Sequence, residues 1–97
     1  MSDEKERKLR VATQRIALVK RFGEQLHRLR DAKGLTRAEL ARKCHIHESL
    51  LSATELGRRE PGLMMLLILA EGLEVAPAEM LPCIQAPLQC VAIEPGR

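Results

Sequence analysis

The sequence predicts an all-α fold, and three observations carry that prediction. Phe22 is the lone aromatic among 97 residues, so the core must be aliphatic and local in sequence, which favours packed short helices over a sandwich. Apolar residues Leu9, Ala12, Ile16, Val19, Leu26 and Leu29 recur at spacings of three, four or seven, and no proline occurs before Pro61. The run Thr36-Arg37-Ala38-Glu39 fits a capping box, in which the threonine hydroxyl accepts from the Glu39 N–H while the glutamate accepts from the Thr36 N–H. With 45% apolar residues the chain can bury one small core.

The elements follow in order. The N-terminal stripe supports one long helix, although Gly23 lowers helix stability by about 1 kcal/mol relative to alanine and leaves two helices meeting near residues 21–23 as the alternative. Gly34 is a C-terminal stop, with Lys33 where the helix dipole favours a cation. A second helix runs from Arg37 to Cys44 or His45, turning Leu40 and Ala41 inward and Arg42 and Lys43 outward. A third fits Glu48–Leu56, started by His47 or Glu48 and stopped by Gly57. Pro61 suits the first position of a fourth helix reaching about Gly72. A short fifth is expected over Pro77–Leu81, and Leu88–Ile93 is either a strand or a loose tail.

Charge is uneven along the chain. Residues 1–30 carry a net +5, residues 31–60 a net +1 and residues 61–97 a net −3. Such an asymmetry suits a polyanion on one side and a protein on the other. The start "MSDEKERKLR" lacks the apolar segment of a secretion signal, and the run Leu63–Ala70 is too short to cross a bilayer, so no membrane association and a cytoplasmic location are expected. Cys44, Cys83 and Cys90 are an odd set without CxxC spacing, for which reduced thiols are the default.

Arg37–Cys44 and Glu48–Leu56, joined by about three residues, make a helix-turn-helix. The stretch from Phe22 to Leu81 resembles the Cro and lambda-repressor-like helix-turn-helix family, whose domain is a five-helix all-α unit that binds DNA. Leu40-Ala41 matches the family's "LA" pair, Leu51-Ser52 its "IS" position, and Gly57, Arg58, Arg59 and Pro61 its exit from the third helix. Leu69-Ala70, Leu73, Val75 and Leu81 match its last two helices. The resemblance implies that Glu55 pairs with Arg30 as a structural salt bridge. It divides the chain into an extra N-terminal helical extension over residues 1–20, the domain itself over 21–82, and a short C-terminal extension over 83–97 that is a candidate dimerisation segment.

Departures from the family pattern matter as much. Arg37 stands where glutamine is common, and His47 where serine or threonine precedes the reading helix. His45 replaces the turn glycine, so either His45 adopts a left-handed conformation or the turn is repacked. The resemblance assigns base contacts to His47, Glu48, Ser49, Ser52 and Ala53, and phosphate contacts to Arg37, Arg42, Lys43, Arg58 and Arg59. No arginine, lysine, glutamine or asparagine lies in the third helix, so no bidentate contact to guanine or adenine is available there. Any sequence preference must lean on phosphate grip and on DNA deformability.

These residues point to a DNA-binding transcriptional regulator, a repressor acting as a homodimer on double-stranded DNA. Met64, Met65, Ile68, Met80 and Ile84 are the expected dimer or partner surface, with cover by the same chain as the alternative for Met64, Met65 and Ile68. The rival function is a protein-interaction module that contacts a partner through the apolar C-terminal third. Cys44, His45 and His47 are too closely spaced in a tight turn for a tetrahedral metal site, and no oxyanion or substrate pocket accompanies them. Neither metal, cofactor nor enzymatic activity is expected.

Overall fold

The computed structural model describes residues 2–81. Its elements are α1 (Ser2–Ala32), α2 (Arg37–Cys44), α3 (Glu48–Glu55), α4 (Leu63–Leu73) and a 3₁₀ turn over Pro77–Met80. Four α-helices are therefore found among the described residues where the family pattern implied five: the last is one 3₁₀ turn, closed by the Ala76 N–H donating to Glu79 Oε2 at 3.2 Å. Residues 83–97, with Ile84, Cys83, Cys90 and Leu88–Ile93, lie outside the described residues.

The helix α1 is continuous, and no second helix begins at residues 21–23. At about 1.5 Å per residue its 31 residues span about 46 Å, nearly the 49 Å length of the molecule. Gly23 serves contact between helices instead of a break. A Cβ there would stand 2.6 Å from the Thr54 carbonyl oxygen at the end of α3. The extension and the first helix of the domain are thus one element, its early turns exposed and its later turns carrying Phe22 and Leu26 into the core.

Local signals set the remaining boundaries. Gly34 takes φ +71 after α1. The capping box of α2 is complete, with Glu39 N–H donating to Thr36 Oγ1 at 3.1 Å and Thr36 N–H to Glu39 Oε1 at 2.8 Å. His45 is left-handed at φ 58, ψ 42, which resolves the two alternatives for the turn, and its N–H donates to the Arg42 carbonyl at 3.2 Å. Pro61 does not begin α4. Gly62 is the cap, Leu63 is the first helical residue, and the helix ends on a left-handed Glu74.

Leu26, Leu40, Leu51, Leu69, Leu73 and Met80 are fully buried where the four helices and the 3₁₀ turn converge. Each such side chain contributes about 1.5–3 kcal/mol relative to exposure. Met80 is therefore core, not partner surface: the 3₁₀ turn folds it onto α1 and α4. Met65 and Ile68 are half-buried against the same core, whereas Met64 is 66% exposed. Gly72 lets α4 approach α2, since a Cβ there would press on Cys44 Sγ and stand 3.2 Å from Leu40 Cδ1.

Candidate nucleic-acid interface

The capping box fixes where α2 starts, the left-handed His45 turns the chain, and Leu51 anchors α3 in the core. That leaves one face of α3 outward. His47, Glu48 and Ser49 are exposed at its start, and Ser52 and Ala53 are half-buried one turn on. No side chain caps α3, although His47 occupies the cap position with extended backbone. Its first N–H groups therefore remain available to an anion or water.

The five basic residues assigned to phosphate fall into three situations. Arg42, Arg58 and Arg59 are exposed, and among the described residues no ion pair engages them. Lys43 lies 3.4 Å from Glu74 Oε2. Arg37 is held inward, its Nε donating to Glu55 Oε1 at 3.0 Å.

Glu55 is the hub of a larger cluster than the expected Arg30–Glu55 pair. Arg30 grips its carboxylate twice, Nε to Oε2 at 2.6 Å and Nη2 to Oε1 at 3.1 Å, and also donates from Nη1 to the Leu35 carbonyl at 2.8 Å. His27 Nδ1 stands 3.4 Å from Oε1 and receives Arg30 Nη2 at 2.9 Å. Burial by itself raises the Glu55 carboxyl, but the hydrogen bonds from Arg30 and Arg37, with Arg30's charge and His27, overcome it and hold the group below the usual carboxylate range. Arg30 is raised in turn, chiefly by its hydrogen bond to Glu55. The sequence reading missed His27, which lies three residues before Arg30 on the same face of α1.

Cys44 is buried, its Sγ donating to the Ile68 carbonyl at 3.5 Å, and burial pushes its thiol up. His45 and His47 are exposed beside it in sequence, and no group of three metal-ligating side chains occurs among the described residues. Two further features had gone unnoticed in the sequence. Arg15 donates to Glu60 at 2.7–2.8 Å, tying α1 to the α3–α4 connection. On the start of α4, Leu63 is 71% and Leu67 is 40% exposed beside Met64.

A family model described as a helix-turn-helix domain matches residues 21–82. The chain belongs to the helix-turn-helix family. The Cro-like resemblance seen in the sequence is upheld, and the solved helix-turn-helix neighbours share its fold. A restriction-modification controller protein, C.AhdI from Aeromonas hydrophila, superposes with a TM-score of 0.65 at 36% identity, covering 66% of this chain and 97% of that one. The clp gene regulator ClgR from C. glutamicum gives a TM-score of 0.66 at 27% identity, over 79% of this chain and 96% of that one. In sequence, an uncharacterized HTH-type transcriptional regulator, y4dJ of Sinorhizobium fredii, is 38% identical over 61 residues, which is 63% of this chain and 79% of the relative. No helix among the described residues is long and apolar enough to cross a membrane.

Proposed function

We propose that this chain is a transcriptional repressor that binds duplex DNA as a homodimer and acts by occupying its site. What supports this most is the exposed first turn of α3 flanked by Arg42, Arg58 and Arg59, with no ion pair on those three among the described residues. His47, Glu48, Ser49, Ser52 and Ala53 line the major groove in this reading, and Arg37 and Lys43 add weaker phosphate contacts because Glu55 and Glu74 already engage them. The naming of relatives as regulators agrees with it. Residues 21–82 are then the DNA-binding unit of a cytoplasmic, nucleoid-associated regulator, with residues 1–20 an extension and 83–97 a candidate dimerisation segment.

Physical grounds favour a homodimer. One reading helix buries too little surface for tight specific binding, and a two-fold axis sets two such helices one DNA turn apart. Leu63, Met64 and Leu67 on α4 form the apolar face for the second copy, next to a shallow groove of about 240 Å³ lined in part by Val19, Phe22, Pro61 and Leu66. The same apolar face, together with the missing bidentate base contacts, supports the second reading, a protein-interaction module with slight DNA affinity.

Fluorescence anisotropy with random-sequence duplexes of about three DNA turns, read across salt concentrations, separates the two. If a dimer neutralises six phosphates through Arg42, Arg58 and Arg59, log K falls against log salt with a slope of about −5. Replacing all three by alanine flattens that slope and removes most of the affinity. A slope near zero in the parent protein overturns the DNA reading and turns attention to a protein partner.

A further inference from the structure

The first turns of α1 extend past their own domain. Residues 3–13 are all exposed, and Arg15, through its bond to Glu60, is the first residue of α1 to reach a side chain outside the helix among the described residues. Leu9 is 70% and Ile16 is 68% exposed, and with Ala12 they form an apolar stripe at spacings of three and four, which is one helix face. Lys5 and Lys8 continue that face toward the N-terminus. A shallow groove of about 460 Å³ runs beside it, lined in part by Lys8, Val11, Ala12 and Ile16.

The outer face of α4 has the same length and the opposite order. Leu63, Met64 and Leu67 are exposed at its start and Glu71 and Glu74 at its end, again at spacings of three and four. Lys5 to Ile16 and Leu63 to Glu74 are both separations of eleven residues, or about 16 Å along a helix. Laid antiparallel, Lys5 meets Glu74, Lys8 meets Glu71, Leu9 and Ala12 bracket Leu67, and Ile16 meets Leu63 and Met64.

We infer that residues 2–20 are the arm that closes the dimer, α1 of each copy lying antiparallel on the outer face of α4 of the other. The assignment rests on the homodimer reading above and gives the N-terminal extension its role. A two-fold axis forms the same contact twice. Ala12 is small enough to admit Leu67 to the groove beside it, as a ridge enters a groove between packed helices.

Charge selects this occupant. Residues 2–20 carry six basic and three acidic side chains, whereas residues 60–81 carry four glutamates and no basic residue. Among the described residues no ion pair engages Lys5, Lys8 or Glu71, and Glu74 holds Lys43 at 3.4 Å. A second α1 in place of α4 would set Lys8 and Arg15 against equally basic flanks, which is unfavourable. Duplex DNA would take the lysines and leave Leu9 and Ile16 in water.

The test is sedimentation equilibrium of the full chain, with duplex binding measured alongside. Leu9→Glu/Ile16→Glu changes two exposed side chains outside the core, so the monomer folds, and a melting curve checks this. The expected result is dimerisation about a hundredfold weaker than in the parent. Lys8→Glu and Glu71→Lys should each weaken the dimer about fivefold at low salt, and the two together should restore it. A Leu9→Glu/Ile16→Glu variant that dimerises like the parent overturns the arm and leaves the homodimer standing. Such a variant that dimerises normally and loses duplex affinity assigns the extension to DNA, and overturns the arm equally. No recovery in the combined charge variant overturns the antiparallel pairing. A parent that stays monomeric throughout overturns the homodimer reading, and the arm with it.

Discussion

Glu55 is the residue on which the reading unit is assembled, because a single buried carboxylate joins α1 through Arg30 and His27 to α2 through Arg37. Truncating it strands two guanidinium groups beside each other, and removing one partner of a buried pair usually costs about 3–5 kcal/mol. Glu55→Ala is accordingly expected to lower the melting temperature strongly, in a thermal scan near neutral pH. Because the folded protein holds this carboxyl below its unfolded value, its contribution is fully present above about pH 4.3 and disappears as pH falls through the depressed folded value. The melting temperature of the parent should fall at acid pH more steeply than that of Glu55→Gln. Equal acid slopes would mean that Glu55 adds nothing to pH-dependent stability. The Arg30–Glu55 pair was legible in the sequence through the family pattern. His27 and Arg37 were not, since only the packed helices bring residues 18 and 28 positions away in the chain onto the same carboxylate.

At the scale of elements, the turn between α2 and α3 carries a local cost. His45 sits at φ 58, a region where a Cβ is unfavourable and glycine is not. His45→Gly should raise unfolding stability by about 0.5–1 kcal/mol in a denaturant titration, with the fold unchanged. A loss of stability would mean that the imidazole makes contacts outweighing the backbone strain. The bounds of α2 were readable from Thr36 and Glu39 because both capping partners lie within one turn. Gly23 was ambiguous for the opposite reason. A glycine in a helix breaks it or accommodates a neighbour, and here the neighbour is the end of α3, far away in sequence. The start of α4 moved from Pro61 to Leu63 because Gly62 takes the cap, while Arg15 holds Glu60 against α1 just before it.

The described residues form a small core with a helix projecting from it, and the proposed homodimer would place its second copy on their exposed apolar groups. Leu9 and Ile16 on α1 are about as exposed as Leu63 and Met64 on α4. Isolated exposed apolar side chains are ordinary, but a grouped set on consecutive turns of α4 favours association. A Met64→Glu/Leu67→Glu variant is expected to sediment as a monomer in analytical ultracentrifugation while the parent sediments as a dimer, with little change in monomer stability. A dimeric variant would move the interface off α4.

Composition, caps and periodicity by themselves determined the helical class, the start of α2, the extent of α3 to within one residue and the helix-turn-helix, because those properties depend on neighbours within a few residues. The core side of α4 was equally readable in Leu69, Ala70 and Leu73. Tertiary structure alone decided that Met80 is core, that α1 runs unbroken through Gly23, and that Arg37 and His27 gather around Glu55. Each of those outcomes depends on which surfaces meet, and meeting is set by the packing of distant segments.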